Sequence, residues 1–174
     1  MKHWISIILL SWIYPAFGQE EVLRIGVAGL NHGHVGWVFE ADKRGDIEIA
    51  GIAEPNRVLA ERYIRQHGLS MDLIFSSLEE MLEKTKPEAV TGFGTTFAHL
   101  EIVQKCAPRG IHVMVEKPLA VSLAHAREMA ALAQKHQIHL LTNYETSWYA
   151  TNEKANELFK AGKIGEARKI VVRD

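Results

Sequence analysis

Three short stretches of the sequence hold side chains suited to binding an anion or moving a proton. The first is Gly26-Val-Ala-Gly29-Leu-Asn31-His32-Gly33-His34-Val35. A glycine-rich turn between a strand and a helix lets backbone N–H groups approach a pyrophosphate at a helix N-terminus. Set on Gly29, the positions of a G-x-G-x-x-G fingerprint fall on Gly29, Asn31 and His34, and only the first is glycine. Asn tolerates positive φ better than most residues, so Asn31 can hold the turn, and Gly33 offers a close approach one register away. The second stretch ends in Glu54, where an acid would accept hydrogen bonds from an adenosine ribose. A carboxylate there repels a 2′-phosphate, which favours NAD over NADP, although Arg57 nearby works against the preference. The third is Glu116-Lys117-Pro118. A lysine at a strand end can donate to a hydroxyl or carbonyl oxygen, and can pass a proton where burial and neighbouring positive charge lower its pKa. By residue type alone the same three residues also read as a charged turn closed by proline.

The remaining candidates are less specific. His32 and His34 stand two apart, but no third ligand accompanies them at a suitable spacing, so no metal is expected. His99 either caps the turn before its helix or contacts a cofactor. Asn143 and Tyr144 end a strand and either touch cofactor or substrate or are ordinary turn residues. His112 and the single cysteine, Cys106, are expected to be structural.

These residues need a frame, and the periodicity supplies one. Short β-rich runs are expected over 22–28, 47–53, 73–75, 89–93, 111–115 and 138–142. Between them lie amphipathic stretches over 32–43, 57–66, 78–84, 97–107 and 123–135. Strands alternating with helices imply right-handed βαβ units and a parallel sheet, hence an α/β, doubly wound, Rossmann-type fold. Its binding crevice lies at the carboxyl ends of the strands. Residues 21–148 make up this dinucleotide-binding domain. Residues 149–174, with a further helix over 152–161 and a strand over 168–173, read as the start of a second, substrate-binding domain, with the chain looking like a fragment of a longer protein.

Residues 1–18 have a different composition. A basic Met-Lys-His start, an apolar run from Trp4 to Phe17 and small residues at Ala16 and Gly18 match an export signal cleaved after Gly18. The expectation is an exported protein, with no membrane association beyond export. Across the whole chain, 20 Lys+Arg against 21 Asp+Glu leave a net charge of −1, which lacks the basic footprint of a nucleic-acid binder.

Three segments together resemble the Gfo/Idh/MocA family (glucose–fructose oxidoreductase and inositol dehydrogenase). Gly110-Ile-His112-Val-Met-Val-Glu116-Lys117-Pro118-Leu-Ala120 is similar to the family's G-K-H-V-x-x-E-K-P-L-A segment. Gly94-Thr95-Thr96-Phe97-Ala98-His99-Leu100-Glu101 resembles its T-P-N-x-x-H-x-E stretch, and Gly162-Lys-Ile-Gly165-Glu166 its G-x-I-G-E. The resemblance implies NAD(P)-dependent hydride transfer to or from a sugar- or polyol-like hydroxyl. It implies that Lys117 acts on the reacting oxygen and that Glu116 lines the nicotinamide pocket or orients Lys117. Thr95, Thr96, His99 and Asn143 join Gly29, Asn31, His32, Gly33, His34, Glu54 and Glu116 as expected cofactor contacts. A homo-oligomer is expected of a complete protein. Two other readings stay open: a family glycosidase that uses NAD transiently, and a non-catalytic nucleotide-binding module.

Overall fold

The computed structural model describes residues 22–166 together with 168, 169 and 171. The expected export signal over 1–18 lies outside the described residues.

Six strands form one sheet: β1 (Leu23–Ala28), β2 (Ile47–Ala53), β3 (Ile74–Phe75), β4 (Ala89–Gly92), β5 (His112–Glu116) and β6 (Leu140–Asn143). Their order is β3-β2-β1-β4-β5-β6, and every neighbouring pair is parallel. This is the doubly wound order, with the switch point between β1 and β4. The helices are α1 (Gly36–Arg44), α2 (Arg57–His67), α3 (Leu78–Thr85), α4 (His99–Cys106), α5 (Leu123–His136) and α6 (Ala150–Lys160).

Successive strand residues point to opposite faces, so each strand feeds two cores. Val27 and Ile52 pack with Val35, Val38, Phe39, Ala60 and Ile64 of the α1–α2 layer. Their neighbours Ala28 and Ala53 face Met81, Leu82, Ile102, Val103 and Met129 of the α3–α4–α5 layer. Burial on both faces explains why the strands read as continuous apolar runs.

Helix starts follow side-chain caps. Oδ1 of Asn56 accepts from the Leu59 N–H (3.1 Å), and the hydroxyls of Ser77 and Ser122 accept from the N–H groups of Glu80 and His125 (3.2 Å each). Glu80 turns back one residue further than a capping box requires, accepting from both the N–H and the hydroxyl of Ser76.

Several boundaries differ from the sequence expectation. The first helix begins as a 3-10 turn, Gly33–Val35, before α1, and the 97–107 stretch divides into two 3-10 turns around α4. β5 ends one residue later than expected, so Glu116 belongs to the strand rather than to the turn after it. β6 likewise includes Asn143, which stands in register with Glu116. Of the strand expected over 168–173, Arg168, Lys169 and Val171 lie in no regular element and the rest falls outside the described residues.

Candidate functional site

The carboxyl edge of the sheet carries two groups of the expected residues, one on each side of the switch point. At the β1–β2 end the chain is closely clamped. Gly29 has φ +82, and a Cβ there would lie 2.6 Å from Cα of Gly94 and 2.7 Å from its N. No side chain fits, so the turn after β1 presses directly on the loop after β4. Two backbone hydrogen bonds fix the contact, Phe93 N–H to the Ala28 carbonyl (2.8 Å) and His32 N–H to the Phe93 carbonyl (3.0 Å), and a third, Gly29 N–H to the Ala53 carbonyl (2.9 Å), ties the turn to β2. By contrast, a Cβ on Gly33 would meet nothing within 4 Å, so the outer part of the turn is open to a ligand.

Glu54 is only 4% exposed. Its Oε2 accepts from the Leu30 N–H (2.9 Å) and its Oε1 from the Asn56 N–H (2.8 Å). The carboxylate therefore ties the glycine turn to the cap of α2. Each oxygen keeps a lone-pair direction for a further donor such as a ribose hydroxyl. Glu54 lines a cleft of about 360 Å³ with Gly29, Asn31, Ser77, Thr95 and Lys105. Ser77, Glu101 and Lys105 in that lining were not anticipated as site residues: Ser77 and Lys105 carry no local mark, and Glu101, which closes the motif after β4, was passed over.

The second group gathers at the ends of β5 and β6. Glu116 and Asn143, paired in register, are each 2% exposed. Oε2 of Glu116 lies 2.7 Å from Nδ1 of His34 and 3.2 Å from Nδ1 of His32. Reading along the chain finds no third donor beside the two histidines; the fold brings one from β5. The far nitrogen of His34, Nε2, lies 2.7 Å from Oε2 of Glu145, just beyond β6. Glu145 also lines a second cleft, of about 450 Å³, with Trp37, Met114, Asn143 and Tyr149. Glu145 was missed, although an acid two residues beyond a strand end at the crevice is a readable signal. The apolar Trp37, Met114 and Tyr149 carry no such mark.

Lys117 is exposed, follows a strand end at the same edge and makes no ion pair among the described residues; its bond to Pro118 is cis. It lines neither cleft. Thr96 opens a 3-10 turn and likewise lines neither. His99 is fully enclosed, with Nδ1 3.1 Å from the Leu119 carbonyl and Nε2 without a partner. It joins α4 to the segment after β5. Burial holds its imidazole below its ordinary pKa, because a second proton would sit on the unpartnered nitrogen. Cys106 is buried in the α4 layer, where burial pushes its thiol up to about 12. As expected, it is an inert core residue.

A doubly wound sheet with a glycine turn clamped at its switch point and an acid at the end of β2 defines a dinucleotide-binding domain. The NAD cofactor fits the residues present: the Gly29–Gly94 contact brings backbone close, Gly33 leaves room, and Glu54 lines the adjoining cleft with acceptor oxygens suited to a hydroxyl. Residues 23–144 match the family described as "Oxidoreductase family, NAD-binding Rossmann fold", and the chain belongs to this family, Gfo/Idh/MocA.

Myo-inositol 2-dehydrogenase of Thermotoga maritima is 28% identical over 155 residues, covering 87% of this chain and 46% of that protein. The 1,5-anhydro-D-fructose reductase of Ensifer adhaerens is 27% identical over 129 residues, covering 74% and 38% respectively. The crystal structure of scyllo-inositol dehydrogenase from Lactobacillus casei with bound NAD(H) and scyllo-inositol superposes with a TM-score of 0.67. That match has 18% identity and covers 84% of this chain and 43% of the other. The chain thus spans less than half the length of these relatives.

Proposed function

We propose that this chain is the cofactor half of a dehydrogenase that moves a hydride between NAD and a hydroxyl carbon of a polyol or sugar-like substrate. The observation that carries the reading is the clamped glycine turn at the switch point, with Glu116 and Lys117 at the end of β5 on the same edge of the sheet. The inositol and anhydrofructose enzymes among its relatives support the substrate class, and nothing among those relatives favours the glycosidase reading.

In this reading the turn from Gly29 to His34 offers its N–H groups to the pyrophosphate, and Thr95 flanks the adenosine cleft. Glu54, already holding the turn, accepts a ribose hydroxyl and disfavours a 2′-phosphate, so NAD binds better than NADP. When bound, the nicotinamide supplies the hydride acceptor or donor. The exposed ammonium of Lys117 hydrogen-bonds the reacting oxygen and gives it a proton as a carbonyl becomes a hydroxyl, and in the reverse direction its neutral amine takes the hydroxyl proton. Asn143 and Glu116 hold the nicotinamide end. We also propose that residues 1–18 direct export.

The test is a steady-state comparison, in the chain joined to a substrate-binding second domain, of wild type with Lys117→Ala and Lys117→Arg on inositols and simple sugars. Loss of an acid–base group should lower kcat by about 10²–10⁴-fold while cofactor affinity stays nearly constant. Arginine should not rescue, because its guanidinium keeps its proton. Unchanged kcat in Lys117→Ala would refute the assignment.

A further inference from the structure

The cofactor contacts proposed above use the backbone of the turn that carries His32 and His34, and leave the two imidazoles, which meet Glu116, without a role. His32 and His34 leave the turn after β1, and Glu116 ends β5, so residues far apart in sequence converge across the end of β4. One donor atom from each side chain lies within 4.8 Å of the others. The contacts between them are close without being hydrogen bonds. Nδ1 of His34 approaches Oε2 of Glu116 to 2.7 Å, yet both atoms, and Oε1 of Glu116, are buried without a hydrogen-bond partner. The approach is off the line that a shared proton would need. An almost fully buried carboxylate in that condition is costly unless a positive centre faces it.

We propose that His32, His34 and Glu116 form a mononuclear site for a divalent transition-metal ion, zinc being the ion their donor set suits. Two imidazoles and one carboxylate, with no thiolate, are the ligands of a site with three protein donors and a remaining position for a water or substrate oxygen. Oε2 of Glu116 faces Nδ1 of both rings, so an ion bound there takes one atom from each side chain. Binding exchanges the long 3.3 Å contact from the His34 N–H to Nδ1 of His32 for a metal bond. Glu145 completes the arrangement. Its carboxylate lies 2.7 Å from Nε2 of His34, close but not hydrogen-bonded to it, and a small turn of the ring on metal binding would make it the outer partner that metal-bound histidines commonly have. With two neutral imidazoles, Glu116 and Glu145 bring two negative charges to balance a dication. Because Glu145 also lines the 450 Å³ cleft, the ion stands at the edge of that cleft.

The experiment is zinc binding to the full chain after chelator treatment, followed by metal analysis and a competitive chelator titration, with Co²⁺ as a spectroscopic substitute. One zinc per chain is expected. His32→Ala, His34→Ala and Glu116→Gln should each weaken binding by at least about 100-fold, and Glu145→Gln by about 10–100-fold, the effect typical of an outer partner. His136→Ala, in the last turn of α5 at the opposite edge of the sheet, should bind as wild type does. Circular dichroism melts identify any variant that fails to fold, and His32→Ala, in the solvent-accessible turn, keeps the test open if Glu116→Gln unfolds. The cobalt form should show d–d absorption without a thiolate charge-transfer band. The proposal is overturned if the wild type holds zinc no more tightly than the His32→Ala/His34→Ala double variant. A thiolate band would overturn it as well.

Discussion

At the β1–β2 end of the crevice the buried polar groups are already committed to the protein. Both oxygens of Glu54 accept backbone N–H groups, and Gly29 is locked against Gly94. At the β5–β6 end the reverse holds: Glu116, Nδ2 of Asn143, Nε1 of Trp37 and Nδ1 of His34 are buried without hydrogen-bond partners. The first end is a finished scaffold whose residues hold the turn with or without a ligand. The second keeps polar atoms in reserve, a condition that costs stability and is sustained at sites where a ligand completes the set. Substitutions at the two ends should therefore fail in different ways, the first in folding and the second in binding.

The largest stability effect is expected at the scaffold end. Gly29→Ala places a methyl group 2.6 Å from the Gly94 backbone at a φ of +82. The combined strain should cost about 3 kcal/mol or more, read from urea denaturation. Glu54→Ala strands the N–H groups of Leu30 and Asn56 and should cost about 2 kcal/mol. It should also weaken NAD binding, because the turn loosens. Asn143→Ala sharpens the contrast. It removes a donor that has no partner, so stability should change by about 1 kcal/mol or less, while NAD affinity falls. Equal destabilisation by Glu54→Ala and Asn143→Ala would erase the distinction between the two ends.

A smaller effect concerns pH and lies between the two regions. His99 is held neutral by burial, so its pKa in the folded protein lies below the ordinary 6.5. As pH falls through 6.5 the unfolded chain takes up a proton that the folded chain refuses, and stability declines on the acid side. A His99→Gln variant should show a flatter decline below that pH in denaturant titrations. Cys106 acts at the other extreme. Its thiol stays protonated in the fold up to about 12, against an ordinary value of 9.0, so stability is lost as pH rises above 9.0. Alkylating reagents should reach Cys106 only on unfolding.

The frame was legible because apolar runs such as Ile25–Ala28 and Ile49–Ala53, punctuated by Gly45, Asn56 and Gly68, mark strands and helix ends by local rules alone. The six strands and a parallel, doubly wound sheet follow from that pattern, whereas the order of the strands within the sheet does not. Glu54 was legible as an acid at a strand end, but its use as a backbone clamp depends on the Leu30 and Asn56 N–H groups meeting in space. The His32–His34–Glu116 group was not legible, since its members lie on β1's turn and on β5 and meet only when β4 is inserted between those strands. A one-residue extension of β5 decided that Glu116 is buried in the strand rather than solvated in a turn, and strand ends are where local signals are weakest.

The central claim, that NAD occupies the crevice across the switch point with Glu54 at its adenosine end, is tested most directly by calorimetric titration of the chain with NAD and with NADP. The account predicts saturable binding of one NAD per chain, tighter than NADP. Equal or tighter binding of NADP would contradict the role given to Glu54, and the absence of binding by either would contradict the claim itself.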